Sequence, residues 1–293
     1  MKYKSLTIDG NIELLKVELS DYMKKALKIV FIICLIYLFL FINNEWLKIT
    51  SYEYTSDKIP DAFDGYKIVQ VTDLHDAELG ENHSRLIKKV ASTKPDVILI
   101  TGDVIDSRRY DLEKSLRAME QLIEIAPVYY VLGNHEVATN EMSKIYEELE
   151  LIGVHTLKNE HVLVELNGEK IALAGIEDPL MGMSPKKMIQ AATSGLDSST
   201  FTVLLSHRPE KFNDYVAQSL DLVFTGHANG GQIRLPFIGG LIAPSQGWFP
   251  KYTDGLFEDG ETTMVVNRGI GNSLFPYRIF NRPEIIEMKL TAH

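Results

Sequence analysis

Five short segments of this chain carry side chains of the kinds that bind metal ions. They are Asp73-Leu74-His75, Gly102-Asp103, Gly133-Asn134-His135-Glu136, Ser206-His207 and Gly226-His227-Ala228-Asn229. Carboxylates, imidazoles and amide oxygens are suitable ligands for zinc, manganese or iron. The single cysteine, Cys34, lies within an apolar run, so the rest of the chain offers neither a thiolate ligand nor a disulfide. Alone, an Asp-x-His or a Gly-Asp is more often a turn or a helix cap. Five such segments in order, each at the end of an expected strand, make a much stronger joint signal. His83, His155 and His161 stand outside these segments and read as surface or packing residues.

The elements that must position these residues follow from periodicity. The runs KIVQVT (67–72), DVILIT (96–101) and PVYYVL (127–132) read as strands. Between them Leu86, Ile87, Val90 and Ala91, then Leu116, Met119, Ile123 and Ala126, recur at helical spacing. This βαβαβ rhythm implies a parallel sheet with both faces covered. A second set of strands is expected at 162–166, 170–175, 201–206 and 222–226, with further strands near 262–267 and 285–290. Ligands of open α/β sheets bind at the carboxyl ends of strands, so the five loops should converge. Asp73 and His75, two apart, would point the same way from extended backbone. Glycines ahead of Asp103, Asn134 and His227 would let the chain turn sharply as it leaves the sheet.

Ahead of this domain, residues 29–42 read IVFIICLIYLFLFI, without a charge. Extended to 26–46 the run is long enough to cross a bilayer, with Lys28 snorkelling to the interface. Lys24, Lys25 and Lys28 precede it, which places residues 1–25 in the cytoplasm and the rest outside. No small-residue cleavage pattern follows, so an uncleaved signal anchor in the cell membrane is expected. Residues 47–65 read as a linker and domain entry, and 66–293 as one domain. The net charge of −10 argues against nucleic acid as a main partner. A phosphate substrate remains compatible with it, because bound cations would dominate the charge inside a site.

In these motifs the chain resembles the calcineurin-like metallophosphoesterase family, whose ordered signature is D-x-H, G-D, G-N-H, a lone H and G-H-x-H. The resemblance runs from about Lys67 to the end, and the tail NRGIGNSLFPYRIFNRPEI (267–285) looks like that of a membrane-anchored bacterial branch. It implies a four-layer α/β/β/α sandwich, two divalent metal ions (manganese, zinc, iron or magnesium) and hydrolysis of a phosphate ester. By position, Asp73, His75 and Asp103 would hold the first metal. Asp103 would bridge to a second, completed by Asn134, His207 and His227. His135 matches the catalytic histidine that protonates the leaving oxygen, and Asp106 the acid that orients it. A carboxylate there would raise the imidazole pKa.

One departure stands out. Asn229 occupies the place of the family's second histidine, a first-metal ligand. An amide oxygen is a weaker donor than imidazole, so a looser first site that favours manganese or magnesium is expected, with Asn229 still coordinating. Gly230-Gly231-Gln232 and Ser245-Gln246-Gly247 would shape the rim. The apolar stretch LPFIGGLIAPSQGWFPKY (235–252) would either pack as ordinary hairpins or rest on lipid. Arg108 and Arg109 are surface charges within reach of an anionic substrate. Membrane attachment makes a lipid-linked or cell-envelope phosphate an attractive substrate. The competing readings are a membrane-anchored binding protein with a weakened, non-catalytic metal site, and hydrolysis of a non-phosphate bond on the same fold.

Overall fold

The computed structural model describes residues 8–273 and 275–293, with side chains from residue 20 onward. It divides into two compact units, Met1–Ile42 and Asn43–His293. Helix α1 (Ile8–Glu45) includes a stretch, Ser20–Glu45, long and apolar enough to cross a membrane. Its large side chains, among them Ile29, Phe31, Ile33 and Tyr37, are exposed, as in a helix whose apolar surface faces no protein core.

The second unit begins with β1 (Lys48–Ser56), β2 (Lys67–Val71), β3 (Val97–Ile100), β4 (Val128–Tyr130) and β5 (His155–Thr156). Helices α2 (Ser84–Thr93), α3 (Leu112–Ile123), α4 (Asn134–Thr139) and α5 (Met142–Leu151) lie between these strands in sequence. Next come β6 (Glu160–Leu166), β7 (Glu169–Gly175), β8 (Thr202–Leu205) and β9 (Leu222–Thr225), with α6 (Pro185–Ala192) and α7 (Phe212–Val216). Two ribbons follow, β10 (Arg234–Leu235) with β11 (Gly239–Gly240), and β12 (Ile242–Ala243) with β13 (Gly247–Trp248). Strands β14 (Gly255–Asp259), β15 (Thr262–Val266) and β16 (Glu284–Ala292) complete the chain.

These strands form two mixed six-stranded sheets, β1-β16-β2-β3-β4-β5 and β14-β15-β9-β8-β7-β6. The runs that read as continuously apolar are buried on both faces, and alternation along each strand sorts their side chains. Val97 and Leu99 meet Leu173, Val203, Leu205 and Phe224 of the other sheet in a shared core. Ile98 and Ile100 face outward onto Val90 of α2, Met119 and Leu122 of α3 and Leu149 of α5. Leu204 and Val223 likewise meet Met188 and Ile189 of α6 and Phe212 and Tyr215 of α7. The result is the four-layer α/β/β/α sandwich. Burying each Leu or Ile in this way contributes on the order of 1.5–3 kcal/mol, so the layers hold their loops rigidly.

Residues 47–65 require a correction: they are not a linker. All of β1 pairs in parallel with β16, from Lys48 opposite Glu284 to Ser56 opposite Ala292, and Ile59 and Phe63 are buried in the core between the sheets. The segment KITSYEYTS has the mixed pattern of an edge strand, with Tyr52 and Tyr54 packed on the core and polar residues between them. That pattern does not stand out beside the wholly apolar central strands.

Candidate metal centre

The five motif loops leave β2, β3, β4, β8 and β9 and lie together, stitched by their own backbone. Asp73 N–H donates to the Gly102 carbonyl (3.0 Å), His75 N–H to that of Asp103 (3.0 Å) and Gly226 N–H to that of His207 (3.2 Å). The backbone differs from the extended path expected for Asp-x-His. Asp73, His75, Asp103, His227 and Asn229 all have left-handed φ, between 47° and 62°. Such a conformation costs about 1–2 kcal/mol per residue, and it persists because neighbouring loops fix each residue on both sides. The glycines act differently from expectation too. Gly102 has φ +91°, but Gly133 and Gly226 are needed for space. A Cβ would lie 2.3 Å from Asp103 Oδ1 at Gly133 and 2.2 Å from Asp73 Oδ2 at Gly226.

Asp103 is the hub. Its Oδ1 accepts from the His135 backbone N–H (2.8 Å), while Oδ2 faces His75 Nε2 at 3.8 Å and His207 Nε2 at 3.2 Å. Burial would raise this carboxyl's pKa, but His207, His75 and His135 hold it well below the usual range. Two clusters of candidate ligands share it: His75, Asp103 and His135, and Asp103, His207 and His227.

On one side, His207 Nδ1 is committed to the Thr101 carbonyl at 2.7 Å. A neutral His207 therefore turns a lone pair at Nε2 toward Asp103 Oδ2, Asn134 Oδ1 and His227 Nδ1, each 3.2 Å away. His207 Nε2, Asp103 Oδ2 and Asn134 Oδ1 are all acceptors, and acceptors gathered together need positive charge between them. The same demand shows in the imidazole itself. Burial disfavours its charge, yet Asp103, with Asp73 and Asp178 beyond, pushes its pKa up to about 10. Ligands about 2.1 Å from a cation sit about 3 Å apart when adjacent, so these residues fit a divalent metal. His227 is suited to the task as a neutral imidazole, since burial, His207 and Arg208 push its pKa well below the ordinary value. With Nδ1 toward the cluster, Nε2 faces Ser245 Oγ at 3.4 Å and Arg208 Nη1 at 3.0 Å. Arg208 can only donate, so Nε2 accepts from it and the His227 proton sits on Nδ1, toward His207 Nε2, the place a bound metal would take.

The other side is looser. His75 Nε2 lies 3.7 Å from Asp73 Oδ1 and 3.8 Å from Asp103 Oδ2. Asn229 does not present its amide oxygen there, contrary to the expectation that it coordinates. Its Oδ1 accepts from Arg278 Nη2 at 3.3 Å, and an arginine can only donate. The amide nitrogen consequently faces Asp73 Oδ1 (3.3 Å) and His75 Nε2 (3.4 Å), as a donor. Arg278 is fully buried and also binds the Gly271 and Arg268 carbonyls, so the amide is firmly held. Although burial lowers its pKa to about 10, Arg278 stays charged at neutral pH.

His135 borders the first cluster, its ring 4.5 Å from that of His75. Its orienting partner is not the expected one. The Ser107 backbone N–H donates to His135 Nδ1 (3.1 Å), whereas Asp106 Oδ1 is 3.7 Å away, beyond hydrogen-bond reach. Asp106 is instead engaged by the Arg109 guanidinium and by the Arg108 N–H (2.9 Å). With Nδ1 accepting, the proton of a neutral ring sits on Nε2, 3.2 Å from Ser273 Oγ. The pKa moves down rather than up, because burial outweighs the pull of Asp103 and Asp106. His135 is therefore a neutral N–H donor at neutral pH.

Glu136, next to the Gly-Asn-His motif, has a task that its position in the sequence does not reveal. The side chain is fully buried and accepts from Gly133 N (2.7 Å), Asp103 N (2.9 Å) and Ile105 N (3.2 Å), tying two motif loops together. Glu136→Ala would strand three buried N–H donors. A loss of on the order of 3 kcal/mol is expected, read as a lower denaturation midpoint in urea, together with reduced metal binding. An unchanged midpoint would show that water replaces the carboxylate at little cost. Arg208 and Asp178, paired behind His227, were also missed; buried ion pairs of this kind leave no local sequence pattern.

Comparison with known proteins points to one family. Residues 66–229 match the family described as calcineurin-like phosphoesterase. The metallophosphoesterase YkuE of Bacillus subtilis (strain 168) is 32% identical over 86% of this chain and 88% of its own length. A zebrafish (Danio rerio) transmembrane protein with metallophosphoesterase domain is 30% identical over 83% of this chain and 57% of its own. The phosphodiesterase YaeI of Escherichia coli (strain K12) is 29% identical over 77% and 82%, respectively.

Proposed function

This chain belongs to the calcineurin-like phosphoesterase family, and on that footing we propose that it hydrolyses phosphodiesters or phosphomonoesters at a site holding two divalent cations. The observation that carries the reading is Asp103, whose single oxygen Oδ2 faces both histidine clusters. When bound, the cations supply charge that clamps a phosphoryl oxygen and lowers the pKa of water. Asp73, His75 and Asp103 would hold the looser position; Asn134, His207 and His227, with Asp103, the tighter one. His135 donates its Nε2 proton to the oxygen of the leaving group, and Ser107 fixes the ring for that transfer.

The proposed substrate is a lipid-linked or cell-envelope phosphate. In this reading α1 spans the cell membrane with its N-terminus in the cytoplasm, and the catalytic unit lies outside. The apolar stretch Ser20–Glu45, the preceding lysines and the zebrafish relative's name support it. The test is turnover of bis-p-nitrophenyl phosphate and p-nitrophenyl phosphate by the full chain in detergent, with manganese, zinc, magnesium or no metal. Metal-dependent turnover of either ester is expected, with manganese or magnesium outperforming zinc. Absence of turnover with every metal would sink the enzymatic reading.

A second reading, a binding protein with a weakened metal site, draws on the turned-away amide of Asn229. Asn229→His bears on it directly. A restored imidazole is expected to tighten zinc binding at the looser position by at least on the order of tenfold, read by competition with a chromogenic chelator. No tightening would mean that Arg278, not the missing ligand, limits that position.

A further inference from the structure

We infer that the catalytic unit makes a second membrane contact of its own, through exposed aromatic loops that hold the rim of the metal centre at the lipid surface. This rests on the proposed membrane-spanning role of α1. The apolar stretch 235–252 forms two short hairpins, but their largest side chains do not pack inward. Phe237 is fully exposed, and Ile238, Trp248 and Phe249 are 63–67% exposed. Phe275 and Tyr277 on a neighbouring loop are 41% and 49% exposed. Large apolar side chains clustered on loops in this way mark a contact surface rather than ordinary surface. Phe237 and Phe249 have φ of 68° and 52°. Left-handed backbone is costly for a bulky residue, and here it accompanies outward aromatic rings rather than buried ones.

The position of these loops favours lipid over a protein partner. The ribbon β10–β11 is bonded to the 278–282 segment, Arg234 N–H to the Ile279 carbonyl at 3.0 Å and Asn281 Nδ2 to the Gln232 carbonyl at 3.0 Å. That segment also grips the first residues of the unit, where the chain arrives from the span. Arg278 N–H donates to Asn44 Oδ1 (2.7 Å), Asn281 N–H to Asn43 Oδ1 (3.2 Å) and Arg282 Nε to the Trp46 carbonyl (3.0 Å). The Arg282 guanidinium lies over the Trp46 ring, 5.2 Å from its centre. Trp and Arg together are the residues that settle at a bilayer's polar boundary. The same loops border the site, since Ser273 meets His135 and Asn281 Nδ2 holds the Asn229 carbonyl at 2.8 Å. A phosphate carried on a lipid would reach the metals without leaving the interface.

The chain's two tryptophans, Trp46 and Trp248, allow a test in the intact protein. In full-length Trp46→Phe reconstituted in phosphatidylcholine–phosphatidylglycerol vesicles, Trp248 is the sole emitter. Lipids brominated near the headgroup end of the acyl chain are expected to reduce its emission at least twofold, and aqueous iodide to quench it little. Emission untouched by brominated lipid and open to iodide would overturn the inference. Trp248→Phe, which reports on Trp46, separates the two layers of the reading. Lipid quenching of Trp46 but not Trp248 means that α1 inserts and the second contact is absent. Quenching of neither means that the spanning reading itself has failed.

Discussion

Asp103→Asn is expected to lower turnover of both nitrophenyl esters by a factor of at least about 10³, the equivalent of about 4 kcal/mol of transition-state stabilisation. The substitution keeps the side chain's size, but it removes the negative charge from the oxygen that faces His75 and His207 together. An amide nitrogen in that place would turn protons toward imidazole lone pairs. Metal content after dialysis, measured by elemental analysis, should fall with activity. The fold should survive, because an asparagine of the same size can still accept the His135 backbone N–H through its amide oxygen. A variant that kept both its metals and its turnover would remove Asp103 from the bridging position and the two-metal reading with it.

His135→Ala should separate chemistry from metal binding. By distance alone His135 stands close enough to His75 and Asp103 to count as a ligand. Its Nδ1 is occupied by the Ser107 N–H, and Nε2 sits against Ser273, which points to proton donation instead. Metal content should therefore be unchanged, while turnover falls by about 10²–10⁴. The loss should depend on the leaving group. Nitrophenolate leaves readily without a proton, so its ester should show the smaller defect, and an alkyl phosphodiester the larger. Equal losses on both esters would assign His135 a structural or ligating role.

Much of this centre could be read from sequence because its residues obey local rules. Each ligand follows a strand whose apolar run marks its end, and parallel sheets bring such ends together. What could not be read depends on contacts between distant segments. The turn of the Asn229 amide is set by Arg278, 49 residues away in sequence. The orientation of His135 is set by the Ser107 amide, and backbone donors are invisible in a string of side chains. Asp106 stood in the right place for an orienting acid, yet Arg109, three residues on, engages it. Strand β1 was overlooked because an edge strand needs only half an apolar face.

The pairing of β1 with β16 also bears on when the domain can close during its synthesis. In the sheet β16 lies between β1 and β2, so β1, made before the other strands, has no neighbour until β16 is made. About 230 residues separate Ser56 from Glu284. At about 5–20 residues per second, β1 waits roughly 10–50 s with its hydrogen-bonding edge open. Throughout that interval the half-made chain presents the unpaired edge of β1, and the nine residues of β16 act as the bolt that shuts the sheet.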